Sequence, residues 1–297
     1  MSYPMVDRIR LEMGKTFPFF VDQVDRNLGQ FGDEWAKEFD TLLANMFPDD
    51  TSLVQAVRGY GEFAIDGMRL MKRFEKEHIY VAKTYAQAST EVYHNEEYMV
   101  NLYLPGILLS NYLWPHHYRQ IQFLKSCFIH DLRNSQEPFF YDVGVGTGFY
   151  SRYLLESVPG ARGVGFDISD HSIQYAQKQV EAYNCQSRYQ ILKQNVVTEP
   201  ITGSAPFLIS VEVLEHLEEP LPFLKALRRM LQPGGKAFIT AAITAPNADH
   251  IYLYRNAEEV LVQLREAGFE LEQFVCAAGY VPKHNEPVPQ IAAYIVR

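Results

Sequence analysis

The chain has little cysteine and no long apolar run. Its three cysteines, Cys127, Cys185 and Cys276, are isolated along 297 residues and odd in number, which fits neither a disulfide framework nor a zinc ribbon. A reducing compartment, and hence a cytoplasmic location, is expected. No apolar stretch approaches the roughly 20 residues that span a bilayer, and residues 1–8 lack a basic-then-apolar signal pattern. We therefore expect no membrane partner.

Clustered positive charge is also absent. The formal net charge is -9 at pH 7, and the longest run of basic residues is Arg228-Arg229. Because nucleic-acid binding needs clustered cations that neutralise phosphates, we expect no nucleic-acid partner, although this charge is compatible with one local basic pocket. The length of 297 residues is enough for one large domain or two modest ones, and the 47% of hydrophobic residues, with 13% aromatics, is enough for a full core.

The chain divides into two parts. Residues 1–135 carry apolar groups at helical spacing and no convincing alternating strand, which predicts an all-α N-terminal domain. Within it, residues 50–52 offer N-cap side chains to a long helical pattern over 53–76. Gly59 and Gly61 are candidate breaks that would divide this pattern into two helices.

An aromatic-rich block covers residues 93–128. Pro105 and Pro115 predict helix boundaries, because proline has a fixed φ and no N–H. The block is a candidate lid over a bound substrate, with aromatic faces toward a cation, or a candidate homodimer interface. An ordinary helical core is the third interpretation. Its histidines and amphipathic aromatics are His94, Tyr98, Tyr103, Tyr112, Trp114, His116, His117 and Tyr118.

Residues 136–297 alternate between strand and helix patterns. The alternation predicts an α/β domain with a parallel sheet covered by helices on both faces. Pro233-Gly234-Gly235 predicts a sharp turn between a helix and the following strand. Strands are predicted near 138–144, 162–167, 187–192, 205–211, 235–241, 269–277 and 289–296, and helices near 149–157, 169–183, 219–231 and 256–267.

A glycine-rich turn joins the first strand to the first helix of this part. Gly144, Gly146 and Gly148 follow Asp142, and the second strand ends on Asp167. Such a βαβ unit holds a nucleoside: the glycines permit close backbone approach, and the acid accepts hydrogen bonds from ribose hydroxyls. A dinucleotide site needs the spacing G-x-G-x-x-G, which is absent here, so an NAD-dependent oxidoreductase is the weakest alternative.

The glycine turn and its acids resemble motif I of the class I S-adenosylmethionine-dependent methyltransferases. The resemblance covers residues 137–297, and the N-terminal third resembles no family. It implies a Rossmann-like, seven-stranded methyltransferase sheet with helices on both faces and an antiparallel seventh strand near 291–296. It also implies S-adenosylmethionine as cofactor, bound by Asp142, Gly144, Gly146, Gly148, Asp167, Ile168, Asn195, Val196, Ser210 and Val211. Asn195 stands where the family commonly has Asp.

A second cluster follows the fourth strand. Residues three and four apart on a helical turn share a face, so Glu212, Glu215 and His216 can converge as a mixed oxygen and nitrogen site for Mg²⁺, Mn²⁺ or Zn²⁺. The string Glu-x-x-Glu-His, here residues 212–216, resembles one found in ubiquinone-pathway O-methyltransferases and in small-RNA 2′-O-methyltransferases. In both groups it is a divalent-metal site. In the RNA enzymes a further histidine joins, and His250 occupies the comparable place here. The alternative is a set of metal-free pocket residues.

The expected activity is methyl transfer to a small-molecule acceptor. O-methylation assisted by Glu212, Glu215, His216 and His250 is the first choice, since the acceptor must often lose a proton. C-methylation beside the carbonyl of a 2-oxo acid follows closely, because a metal can stabilise an enolate. N-methylation is a further alternative. The non-enzymatic alternative is a catalytically silent adenosyl-binding protein, which would not need the cluster of Glu212, Glu215 and His216.

Overall fold

The computed structural model describes residues 2–81, 83–282 and 286–297. The first part of the described chain is helical, as predicted. Three π-helical turns, at Ser89–Tyr93, Met99–Tyr103 and Leu124–Ile129, follow the fourth, fifth and seventh helices. The helices are α1 Pro4–Thr16, α2 Val21–Met46, α3 Asp50–Glu77, α4 Tyr85–Ala88, α5 Glu96–Tyr98, α6 Leu104–Leu113, α7 Pro115–Phe123 and α8 His130–Asn134.

Helix α3 differs from the expectation of two helices. It continues unbroken through both glycines, and its N-cap is Asp49, whose side chain accepts a hydrogen bond from the Ser52 backbone N–H at 2.9 Å. A Cβ at Gly59 would lie 2.4 Å from the backbone oxygen of Asn101. A Cβ at Gly61 would overlap the ring of Phe17 in the same way. The glycines therefore permit close helix packing instead of breaking the helix.

The predicted boundary at Pro115 is confirmed, since α7 begins there after the extended residue Trp114. At Pro105 the helix does not end: the π-helical turn Met99–Tyr103 continues directly into α6, which begins one residue before this proline. The carbonyl of Tyr112, near the end of α6, accepts hydrogen bonds from Asn27 Nδ2 and Trp35 Nε1, each at 2.9 Å. These bonds fix α2 against the connection between α6 and α7.

The second part forms a seven-stranded sheet in the order β3-β2-β1-β4-β5-β7-β6, with β7 antiparallel to both neighbours. This confirms the predicted methyltransferase-type sheet. The strands are β1 Phe139–Val143, β2 Arg162–Asp167, β3 Tyr189–Lys193, β4 Ala205–Ser210, β5 Leu231–Ile243, β6 Leu271–Ala278 and β7 Gln290–Val296. The helices are α9 Phe149–Ser157, α10 Asp170–Ala182, α11 Pro220–Met230 and α12 Ala257–Glu266.

The expected turn at Pro233-Gly234-Gly235 lies inside β5. The strand starts at Leu231 directly after α11, and its pairing with β4 shifts between Ala205 and Phe207. Gly234 supplies the positive φ of 75° that lets the strand bulge there. The motif therefore forms an irregularity at the start of β5 and not a separate loop.

The N-terminal helices and one face of the sheet share an apolar core. That core joins Trp35 and Phe39 of α2 to Phe140, Phe207 and Phe238 of the sheet. The other face packs against α11 and α12. None of the helices in the described ranges is long and apolar enough to cross a bilayer. Strand β1 lies between β2 and β4, so the strand order reverses there, which is where open α/β sheets bind ligands.

Candidate functional site

A cavity of about 910 Å³ opens beyond the carboxyl ends of β1, β2, β4 and β5. The N-terminal helices form the opposite wall, with Phe63, Tyr103 and Trp114. A pocket of this size and apolar character is suited to small organic ligands. Ten of the fourteen residues selected from the sequence line it: Asp142, Gly144, Gly146, Asp167, Ile168, Val211, Glu212, Glu215, His216 and His250.

Asp167 ends β2 with a buried carboxylate at the cavity wall. One oxygen accepts the Gly146 N–H and the other accepts the Ser169 N–H, both at 2.9 Å. Burial raises the pKa of Asp167, and these backbone N–H groups oppose that rise. Each carboxylate oxygen still has lone pairs for further donors. The carboxylate is thus fixed in position and able to accept hydrogen bonds from a ligand.

The glycine turn leaves room beside that carboxylate. Gly144 and Gly146 both have positive φ, and a Cβ at Gly144 would lie 2.4 Å from Val213. A Cβ at Gly146 would meet no protein atom within 4 Å, because Gly146 borders the open space of the cavity. The open space at Gly146 therefore lies where a ligand can approach the backbone closely.

Ile168 and Asp142 border the same turn. Ile168 is 43% exposed and presents an apolar surface to the cavity. Asp142 is buried and accepts a short hydrogen bond from Ser151 Oγ. Burial raises the pKa of Asp142 to about 7, and the nearby Asp167 adds to the rise.

Four residues selected from the sequence do not line the cavity. Gly148 is the N-cap of α9, and a Cβ there would overlap Ala176. Asn195 Oδ1 accepts hydrogen bonds from the N–H groups of the two residues after Val196, which closes a turn. Val196 is buried in the core behind the cavity, and Ser210 donates to the carbonyl of Val143. These positions support the elements around the cavity.

Three of the four predicted metal ligands converge. One ligand atom from each of Glu215, His216 and His250 can be chosen so that all three lie within 4.8 Å of one another. Glu215 is fully buried; its Oε2 accepts the Ala242 N–H at 3.3 Å, whereas its Oε1 has no hydrogen-bond partner. That Oε1 lies 3.9 Å from His216 Nε2. A buried oxygen without a partner, facing an imidazole, is a position that a cation would satisfy.

The other nitrogen of each imidazole is already held by the protein. His216 Nδ1 lies 3.2 Å from the Asp249 carboxylate, and His250 Nδ1 lies 2.5 Å from the carbonyl of Ala245. This leaves Nε2 of both rings available. Metal-binding histidines usually donate their second N–H to a carboxylate or carbonyl in this way, so the residues present fit a divalent metal.

Glu212 does not join this group. It has a φ of 53°, its backbone N–H donates to Thr240 Oγ1, and that hydroxyl donates back to Glu212 Oε1 at 2.6 Å. Glu212 still lines the cavity. The predicted helical turn is a 3₁₀ turn over Leu214–His216, which starts two residues later and directs Glu212 toward β5.

Burial and charge strongly shift the pKa values of this group. Burial raises the pKa of Glu212 and Glu215, and the negative charge of Glu215 raises the pKa of Glu212 further. For His216, burial alone would lower the pKa, but Asp249 and Glu215 outweigh it and raise it to about 10. Burial and His216 lower the pKa of His250 to about 4. A divalent cation would supply the positive charge that the buried carboxylates lack.

The N-terminal helices reach into this site. Tyr93 donates to Asp249 Oδ2 at 3.0 Å, and Tyr103 makes a shorter hydrogen bond to the same oxygen. Tyr80 OH accepts the Ala245 N–H at 3.0 Å. The backbone N–H groups of Ile251 and Tyr252 donate to the carbonyl of Glu215. The segment after β5 is thereby held between the helical part and the 3₁₀ turn.

The sequence does not single out Asp249 or Thr240 as site residues, and it places Tyr93 and Tyr103 only within the aromatic-rich block, with no role toward Asp249. Asp249 directly precedes His250, so its position in the sequence is a usable signal. The contacts of Tyr93 and Tyr103 with Asp249 span 156 and 146 residues. No local pattern reports pairings over such a distance.

Comparison with known proteins agrees with the fold. Residues 141–239 match the family model of a methyltransferase domain. The ubiquinone biosynthesis O-methyltransferase of Pseudomonas putida is 25% identical over 134 residues, which cover 45% of this chain and 56% of that protein. The chain thus spans little more than half the length of such curated relatives.

Two solved structures share the architecture. An O-methyltransferase family protein from Burkholderia thailandensis is 11% identical and has a TM-score of 0.56, over 85% of this chain and 75% of that one. The cyclase SpnF is 16% identical and has a TM-score of 0.54, over 73% and 98%. At these identities the similarity establishes the fold alone, and the reaction has to be argued from the site.

The sheet order is Rossmann-like, and Gly144, Gly146, Asp167 and Ile168, which we call the cradle, lie at its switch point. The family match over residues 141–239 identifies this part of the chain as a methyltransferase domain.

Proposed function

We propose that this protein transfers the methyl group of S-adenosylmethionine to an oxygen atom of a small-molecule acceptor, assisted by a divalent metal. The observation that carries the proposal is the convergence of Glu215, His216 and His250, with one carboxylate oxygen unpartnered and both Nε2 atoms available. A catalytically silent adenosyl-binding protein would not need this group. Oxygen is favoured because the metal, when bound, would lower the pKa of an acceptor hydroxyl.

The cradle residues have separate proposed roles. Asp167 accepts hydrogen bonds from both ribose hydroxyls, and Ile168 packs against the adenine. Gly144 and Gly146 admit the methionine part of the cofactor beside the backbone. These roles are supported by the fixed Asp167 carboxylate and the open space at Gly146. Together they orient the sulfonium toward the acceptor, which lowers the entropic cost of reaction.

The acceptor side of the cavity excludes water and positions the hydroxyl. Glu215, His216 and His250 hold the metal, while Asp249 orients His216. Tyr93 and Tyr103 close this side from the helical part. Apolar walls lower the local dielectric constant, so the charges of the site act more strongly on the acceptor hydroxyl as it loses its proton.

The test is methyl transfer from isotope-labelled S-adenosylmethionine into a metabolite extract, followed by mass spectrometry. We expect an O-methylated product whose formation stops after treatment with EDTA and resumes with Mg²⁺, Mn²⁺ or Zn²⁺. Fragmentation that locates the label on carbon or nitrogen would contradict O-methylation.

Metal content gives an independent readout. Elemental analysis of the protein, dialysed against each metal, should find about one equivalent in wild type. Glu215→Gln should lose the metal while retaining binding of S-adenosylhomocysteine. Full metal content in this variant would contradict the assigned ligand set.

A further inference from the structure

The cavity has an acidic region and a separate basic region. Among the described residues that line it, the only lysines or arginines are Arg26 on α2 and Arg119 on α7. Neither side chain has a hydrogen bond or an ion pair to any residue in the described ranges. Both side chains are exposed where they line the cavity, so their guanidinium groups are available to a ligand anion.

His116 lies beside Arg119 and is unpartnered as well. It is only 7% exposed and lines the cavity, and its Nδ1 is buried without a hydrogen-bond partner. Burial, together with Arg119, lowers the pKa of His116 to about 3. A neutral imidazole can donate one N–H to an anion, and a buried ring nitrogen without a partner calls for a ligand atom.

The start of α7 adds a further attraction for anions. Helix α7 begins at Pro115, and it has neither a side-chain cap nor an acidic residue in its first turn. The N-terminal end of a helix carries partial positive charge. Asn27, next to Arg26, donates to the carbonyl of Leu113 at 2.9 Å. This bond holds α2 close to the start of α7, and we call Arg26, His116 and Arg119 the basic pole.

An aromatic surface adjoins the basic pole. The Trp114 ring lies nearly parallel to that of His116, at 8° with centroids 5.7 Å apart. It also lies at 18° to the Phe63 ring, with centroids 5.6 Å apart. All three rings line the cavity. They offer a flat apolar wall between helices α3 and α7.

The distance between the basic pole and the group formed by Glu215, His216 and His250 follows from the positions of strands in the sheet. A Cβ at Gly279, which follows the end of β6, would lie 3.3 Å from His116 Nδ1. Ala245, which holds His250, follows the end of β5. Strands β5 and β6 are separated by β7, so their ends lie on the order of 10 Å apart.

We propose that the methyl acceptor is an apolar or aromatic anion, whose carboxylate-like group binds to the basic pole. The methylated atom then lies on the order of 10 Å away, beside Glu215, His216 and His250. The placement of the methylated atom rests on the proposed function. The anion site itself does not, because it follows from the cavity wall alone.

The experiment compares two probes with the same apolar body. One is 1-anilinonaphthalene-8-sulfonate, an aromatic anion, and the other is N-phenyl-1-naphthylamine, which is neutral. Each is titrated by fluorescence into the full-length protein saturated with S-adenosylhomocysteine. We expect the anion to bind roughly tenfold more tightly, as one charge-assisted contact allows.

Variants then locate the anion. Arg119→Ala and Arg26→Ala should each weaken binding of the anion by roughly tenfold and leave the neutral probe unchanged. Arg229→Ala is the matched control, because Arg229 is an exposed arginine on α11 that does not line the cavity. A loss in one variant alone supports the site and makes that arginine its anchor.

Two results would overturn the proposal: equal affinity of wild type for the two probes, or unchanged affinity for the anion in both arginine variants. Neither depends on catalysis. A protein that binds the anion through these arginines but transfers no methyl group would contradict the proposed function alone.

Discussion

The carboxylate of Asp167 is the residue on which the cradle depends. It holds two backbone N–H groups and still faces the cavity. We expect Asp167→Asn to weaken binding of S-adenosylhomocysteine by about 10- to 100-fold, because charge-assisted hydrogen bonds to the ribose are lost. Isothermal titration calorimetry measures this, with Asp170→Asn as control, since Asp170 pairs only with Lys193 at the surface. Equal affinity in the Asp167 variant would remove the ribose assignment.

Asp249 acts on the proposed metal site of Glu215, His216 and His250 by orienting one of its ligands, His216. It is itself held by Tyr93 and Tyr103. Replacement by Asn keeps an acceptor for the tyrosines but removes the charge that supports the imidazole. We expect Asp249→Asn to reduce metal affinity by about 10- to 100-fold, with binding of S-adenosylhomocysteine unchanged. Competition with a chelator measures the affinity, and an unaltered value would show that His216 needs no such support.

At the scale of elements, α3 shows how packing can reverse helix propensity. Alanine favours a helix over glycine by about 1 kcal/mol, yet a Cβ at Gly59 would meet the backbone of the neighbouring π-helical turn at 2.4 Å. We expect Gly59→Ala to lower the free energy of unfolding by about 1–2 kcal/mol, because overpacking outweighs propensity. Gly67→Ala in the same helix meets nothing within 4 Å and should raise it by up to about 1 kcal/mol. Urea unfolding of both variants checks this, and stabilisation in both would contradict the close approach.

Local patterns predicted the elements whose signal is local. The βαβ unit with Gly144, Gly146 and Asp167 was identified from spacing, and the helix start at Pro115 from its proline. The continuity of α3 through Gly59 could not be predicted, because the reason for that glycine is a contact 42 residues later in the chain. The same holds for Glu212, whose side chain turns to Thr240 across the sheet. Patterns thus give residue type and period, whereas the direction of a side chain depends on distant partners.

At the scale of the molecule, one cavity joins two regions of opposite charge. The helical part contributes the basic pole and the tyrosines over Asp249, and the sheet contributes the acids. Because α2 and the sheet share one apolar core, neither wall can shift without disturbing the other. This coupling fixes the separation between the two poles and keeps the cavity preformed, which reduces the ordering cost of binding.

Buried acids make the stability of the whole molecule depend on pH, and Asp142 offers the clearest test. Burial raises its pKa from 3.8 to about 7 in the folded protein. Between these values the unfolded chain loses a proton that the folded chain keeps, so the folded state binds more protons and its stability falls as pH rises. The contribution is fully present below pH 3.8 and is lost through about pH 7.

Asp142→Asn removes this proton while an amide oxygen still accepts from Ser151. Relative to wild type, the variant should therefore gain stability as pH rises, on the order of 4 kcal/mol between about pH 4 and about pH 7.5, with no further gain above that. Urea unfolding of both proteins across this range measures the difference, and subtraction cancels the titrating groups that do not interact with Asp142. A difference that does not change with pH would mean that Asp142 is ionised in the folded protein, and the cavity beside Gly146 would then have to supply a compensating charge.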